Sequence, residues 1–230
     1  MAGDLAMLVI VFLALIGPGS GGRGTPEVGD RLPSAEQSRR ILKIHNDLRR
    51  LQDAADMEYM EWSQSLAEIS QDTATKCIFR SGNSGQEQIM SQNMAVLSST
   101  TNITEMTSAV TWWYDDTYDV NTRYCKEPAR CNQHLQLIWA STNEVGCAYS
   151  ICDTLANAET NETSDNVTLF VCTYHLGLST SGDSPRPFVP GPACSQCRSG
   201  ADWCDMIEPR GLCRRMYEQT TTTTTTRIQY

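Results

Sequence analysis

Three histidines and ten cysteines are the residues of this chain best equipped for chemistry. An imidazole can serve as a general base or a zinc ligand, and a nearby carboxylate can orient it or share the metal. A thiolate can attack a carbonyl. Here, however, Cys77, Cys125, Cys131, Cys147, Cys152, Cys172, Cys194, Cys197, Cys204 and Cys213 make an even set. In an oxidising compartment such a set pairs into five disulfides and leaves no reactive thiol. The histidines are scattered. His45 shares a helical stripe with Ile41, Ile44 and Leu48 and reads as a hydrogen-bonded core residue, and His175, after Tyr174, reads as a surface residue. His134 precedes the apolar run Leu135 to Ala140, which reads as a buried strand. No Gly-x-Ser-x-Gly elbow and no His-Glu-x-x-His pair occurs. The aromatic set Trp112, Trp113, Tyr114, Tyr118 and Tyr124 reads as core and cleft wall, not as a ligand cage.

The elements that must position these residues change character along the chain. Ser34 with Gln37 resembles a capping box, and Ile41, Ile44, Leu48 and Leu51 follow at helical spacing. Trp62, Leu66, Ile69 and Thr73 trace a second helical stripe, and Met106, Val110, Trp113 and Tyr114 a third, with a polar loop between them. Beyond Cys125 the pattern turns to strands at Leu135 to Ala140, Val145 to Tyr149 and Leu169 to Tyr174, with Asp153 to Asn166 read as a surface loop. Early helices and late strands predict an α+β fold with helices on an antiparallel or mixed sheet.

Export is the compartment the sequence predicts. Leu5 to Ile16 is an unbroken apolar run followed by Gly17-Pro18-Gly19-Ser20-Gly21-Gly22. It is too short to span a bilayer, and small residues follow it, which fits a cleaved leader over 1–22 despite Asp4 where a basic residue is usual. Sequons at Asn102, Asn161 and Asn166 agree with a glycosylated surface. Without the leader, 26 acidic residues face 18 basic ones, a net charge of −8. That balance disfavours nucleic acid and anionic membranes. No other stretch reaches the length of a membrane span, so no transmembrane segment is expected. Residues 23–35 form a Gly/Pro-rich lead-in, 36–178 the main domain, and 179–193 a Ser/Gly/Pro-rich linker. Residues 194–213 form a four-cysteine knot and 214–230 a low-complexity, Thr-rich tail expected to be disordered.

Several motifs carry a resemblance to a known family. His45-Asn46-Asp47-Leu48-Arg49, Trp112-Trp113-Tyr114-Asp115, Gln136-Leu137-Ile138-Trp139-Ala140, Gly146-Cys147 and Cys172-Thr173-Tyr174 stand in order. Together they resemble the CAP superfamily of cysteine-rich secretory, antigen-5 and pathogenesis-related-1 proteins (the SCP domain). The knot is similar to the hinge of glioma-pathogenesis-related and peptidase-inhibitor-like members, and no ion-channel-regulator domain is expected after it. The resemblance implies an α-β-α sandwich. It also implies the pairs Cys77–Cys152, Cys125–Cys131, Cys147–Cys172, Cys194–Cys204 and Cys197–Cys213, among which the sequence alone cannot choose.

The same resemblance implies a cleft where many members hold a divalent metal with two histidines and two acids. At those positions this chain has Ser81, Gln92, Asp116 and Gln133, so one acid is kept and both histidines are gone. His134 is one residue past the ligand position. On a strand that shift sends its side chain to the opposite face, where the family has an aromatic residue. Neutral amides and hydroxyls are poor zinc donors, so no metal, no cofactor and no catalytic residue are expected. The implied function is a secreted, non-enzymatic protein that binds another extracellular protein, or a sterol or fatty acid in an apolar groove. The competing reading is a protease-like hydrolase using a residual cleft.

Overall fold

The computed structural model describes residues 32–80, 90–114, 118–119, 121–122, 124–126, 128–176, 186–198 and 203–214. Helix α1, Ala35–Arg49, starts at a capping box in which Ser34 and Gln37 exchange hydrogen bonds. Strand β1, Glu61–Trp62, leads into α2, Gln64–Ala74. Strands β2, Ile78–Phe79, and β3, Met90–Ser98, follow. Helix α3, Ile103–Trp113, is capped by the Asn102 side chain, and α4 spans Pro128–Leu137. Two long strands, β6 (Glu144–Asn157) and β7 (Thr163–His175), form the centre of the sheet. Short ribbons are β4, Tyr118–Asp119, with β5, Tyr124–Cys125, and β8, Trp203–Cys204, with β9, Cys213–Arg214.

The sheet runs β1-β6-β7-β3, with β2 also pairing along β6. The strands β3, β7 and β6 are antiparallel, while β1 and β2 pair with β6 in parallel. Helices cover both faces. Alternation along β7 shows why: Phe170, Cys172 and Tyr174 join the larger cluster with α1, α3 and α4, while Leu169 and Val171 join Ala74 of α2 in the smaller one. Helix α2 lies very close to the sheet at Gly146. A Cβ there would fall 2.2 Å from the Ala67 nitrogen, so no other residue fits. Trp113 stacks on Phe170 with ring centroids 5.7 Å apart. The mixed α+β sandwich is the predicted class.

Four expectations need correction. The run Leu135 to Ala140 is not a strand: its first half closes α4 and its second half is a turn. A short apolar run does not separate helix from strand by periodicity, and here the helix wins. The region taken for a polar loop before α3 contains β3, and most of the loop expected at Asp153 to Asn166 is strand, because Cys152 and Leu155 bury against Leu169. Residues 186–193, expected in a linker, lie against the domain: Phe188 is buried in the main core and the Val189 carbonyl accepts the Ala55 N–H.

Five disulfides join Cys77–Cys152, Cys125–Cys131, Cys147–Cys172, Cys194–Cys204 and Cys197–Cys213. The segment around the last two is docked, with Leu212 in the main core. Cys213 exchanges main-chain hydrogen bonds with Met57 and Tyr59, each 2.8 Å. Arg50 and Asp205 form an ion pair that is buried on both sides. Arg214 lies over the Tyr59 ring at 4.2 Å. Among the described residues no helix is long and apolar enough to cross a membrane.

Candidate functional site

Arg49, the last residue of α1, organises the region where a cleft was expected. Its guanidinium donates to the carbonyls of Glu58, Leu137, Trp139, Ala140 and Thr142 at 2.6–3.2 Å. These include carbonyls at the C-terminal end of α4 and in the turn beyond it, which have no helical partner and carry the negative end of the helix dipole. Complete burial lowers the Arg49 pKa to about 9. One turn earlier His45 is equally buried. Its Nδ1–H donates to the Ile41 carbonyl at 2.7 Å, which leaves Nε2 to accept the Tyr174 hydroxyl at 3.0 Å. Burial lowers its pKa to about 4, so the ring is neutral and sealed from any substrate. Asn46 pins Met60 from both sides of its main chain. The His45–Arg49 motif is therefore a scaffold for α4.

Strand β3 positions Gln92 on the α2 face. A one-way chain of protons fixes this amide. Ser70 Oγ–H donates to the Gly146 carbonyl at 2.8 Å, so Thr173 must donate to Ser70 at 2.7 Å. Gln92 Nε2–H then donates to Thr173 at 2.9 Å. Its second proton goes to Thr73 at 3.1 Å, and Thr73 donates onward to the Ile69 carbonyl. A carboxylate in this place would meet two hydroxyls whose protons are already committed. The neighbouring cavity, of about 300 Å³, is lined by Thr73, Lys76, Ile78, Arg80, Met90 and Gln92 among others. Two cationic side chains beside a neutral amide make poor surroundings for a divalent cation. Nothing in the spacing of Lys76 and Arg80 announced that they would share this wall.

Gln133, on α4, is buried, and its Nε2 donates to the Met94 carbonyl at 3.1 Å. Trp113 Nε1 donates to the same carbonyl at 3.2 Å, and the Gln133 carbonyl accepts from Asn93 at 3.0 Å. The position expected to hold a metal ligand thus closes the outer edge of β3. Gln92 and Gln133 share no hydrogen-bond partner, and neither fits zinc. Ser81 and Asp116 lie outside the described residues.

His134 is on a helix, so it projects about 100° from Gln133 and not to the opposite face of a strand. Its Nδ1–H donates to the Tyr114 carbonyl at 2.9 Å, and its ring stacks on Tyr114 at 5.3 Å. It serves as a ring in the wall of a cavity of about 490 Å³ shared with Gln52, Tyr118, Asp119 and Lys126. His175, expected at the surface, is half-buried, and among the described residues its shielded Nδ1 has no hydrogen-bond partner. Of the aromatic set, Trp113 and Tyr118 are buried, whereas Trp112 and Tyr124 are exposed. Asn102, Asn161 and Asn166 are all exposed, and Asn102 caps α3 through its oxygen, which leaves its nitrogen outside that cap.

The model of the family described as "CAP: Cysteine-rich secretory protein family" matches residues 42–174. The chain is 30% identical over 201 residues to GLIPR1-like protein 1 of Bos taurus, covering 80% of this chain and 75% of that protein. It is 29% identical to peptidase inhibitor 16 of Homo sapiens, covering 72% of this chain but only 34% of the relative. A solved structure of Schistosoma mansoni venom allergen-like protein 4 superposes with a TM-score of 0.52 at 22% identity, over 71% of this chain and all of the other.

Proposed function

The chain belongs to the cysteine-rich secretory protein family, CAP, and we propose that this member is an exported binding protein without catalytic activity. The observation that carries the reading is the fate of the cleft positions. Gln92 spends both amide protons on hydroxyls, and Gln133 spends its amide on a main-chain carbonyl. Ser81 adds a neutral residue and Asp116 a lone acid. One carboxylate without an imidazole neither holds zinc tightly nor activates a bound water. His45 has no route to a substrate, and the ten cysteines are paired. The exposed sequons at Asn102, Asn161 and Asn166 support a glycosylated, secreted form. A relative named as a peptidase inhibitor supports a protein partner, and an apolar groove beside β3 keeps a sterol or fatty acid as the competing occupant.

The test is a zinc titration of the demetallated glycoprotein by calorimetry. No saturable uptake at micromolar zinc is expected; tight binding of one ion per chain would overturn the degenerate-cleft reading. Radiolabelled cholesterol then separates lipid carriage from protein recognition, since saturable uptake would favour the lipid.

A further inference from the structure

Strand β3 is an edge strand, and its outer side changes halfway along. The Met94 carbonyl points away from β7, since it accepts Trp113 Nε1 and Gln133 Nε2 from the helices. Main-chain groups alternate from side to side along a strand, so Val96 and Ser98 direct theirs outward as well. The Ser98 carbonyl is taken by the Thr101 hydroxyl at 2.6 Å. Among the described residues, no hydrogen bond outside the ladder reaches the Val96 N–H or carbonyl, or the Ser98 N–H. These groups lie along a groove of about 610 Å³ between β3 and the Thr104, Ser108 and Trp112 face of α3. Phe79, Val96 and Leu97 supply apolar wall; Val96 is 42% and Trp112 50% exposed.

We propose that this groove binds an extended, basic peptide segment of a partner protein, which adds to β3 as a further strand. The proposal rests on the binding-protein reading above and supplies its site. A groove between an edge strand and a helix is the geometry in which an added strand gains main-chain hydrogen bonds from one wall and side-chain pockets from the other. An acyl chain or a sterol would leave the Val96 and Ser98 groups desolvated without partners. The pleat sends alternate peptide side chains toward Phe79 and Val96 on one face and toward Leu97, Ala109 and Trp112 on the other. Glu105, which lines the groove and accepts from the Ser98 hydroxyl, sets an acidic rim, and the whole chain carries a net charge of −9. That charge favours a basic segment and opposes a second copy of the same chain.

The experiment selects peptides from a random display library with the full glycosylated chain as bait, then scans one selected peptide by N-methylation. Binding should fall at every second amide and survive at the others, and the Val96 and Ser98 amides should gain protection from hydrogen exchange. Val96→Pro keeps the ladder, because its N–H points outward, and should weaken binding at least about tenfold. Trp112→Ser should weaken it while leaving the fold intact. Selection of no peptide that protects these amides, or N-methyl effects without the two-residue period, would overturn the proposal. So would displacement of every selected peptide by palmitate or cholesterol, or a concentration-dependent dimer that Val96→Pro dissociates. The zinc titration is independent of all these outcomes, so this site can fail while the non-enzymatic reading stands.

Discussion

The two halves of β3 face the same layer of helices and are finished in opposite ways. From Ser91 to Met94 the strand is closed. Ser91 donates to Gln136, Asn93 to the Gln133 carbonyl, and the Met94 carbonyl takes two side-chain donors. From Val96 to Ser98 it is open to a groove with apolar walls. The difference teaches how a side-chain amide can close a strand edge. Gln133, at a position where the resemblance implies a metal ligand, seals β3 with its amide. On the proposed reading, a partner is recognised by the part of this face that Gln133 does not reach.

The largest way to break the comparison is to remove what holds α4, and with it Gln133, against β3. Arg49→Met should cost about 3–5 kcal/mol, because five buried carbonyls lose their donor at once. Guanidinium unfolding with the disulfides intact measures this, and Arg49→Lys should recover only part of it, since an ammonium does not reproduce the planar fork. If Arg49→Met unfolds like the parent chain, the closed half does not depend on α4.

Next in size is an acid effect centred on His45. Its folded pKa is about 4 against an ordinary 6.5, so the unfolded chain binds the extra proton first as pH falls. The stability is fully present above about pH 6.5 and is lost as pH falls toward 4, to a total of about 3 kcal/mol. Unfolding midpoints measured from pH 7.5 to 4.5 should decline in the parent and decline less in His45→Gln. Equal slopes would mean that His45 is not buried neutral beneath Tyr174.

Helix α1 was legible because its cap and stripe are local: Ser34, Gln37, Ile41 and Leu48 act within one element. The fully buried strand at Leu169 to Tyr174 was legible for the same reason. Strand β3 was not. Ser91, Gln92 and Asn93 read as loop residues, yet each is satisfied by a side chain or carbonyl from another element, and that pairing exists only after folding. The run before Ala140 was misread because its turn is set by Arg49, about 90 residues upstream. The residue types at the cleft positions could be read directly from the sequence. What Gln92 and Gln133 do instead depends on contacts with α2 and β3.

A milder change opens the closed half directly. Gln133→Leu keeps bulk but leaves the Met94 carbonyl to Trp113 alone, and should cost about 1–2 kcal/mol. Gln133→His tests the other side of the argument. One imidazole without its partners should restore no saturable zinc binding, as read by calorimetry.

The smallest expected effect falls on the open half. Val96→Lys places a charge on an exposed edge position whose main-chain groups already face outward, so the ladder to β7 is untouched. Its stability should stay within about 0.5 kcal/mol of the parent. Edge strands tolerate lysine, which also discourages unwanted pairing. The same substitution two residues earlier, Met94→Lys, buries an ammonium against Leu169 and Val171 and should be severely destabilising. Thermal unfolding of the pair therefore reads the boundary between the two halves. If Val96→Lys proves as costly as Gln133→Leu, the edge beyond Met94 is already covered and the groove is not available to a partner.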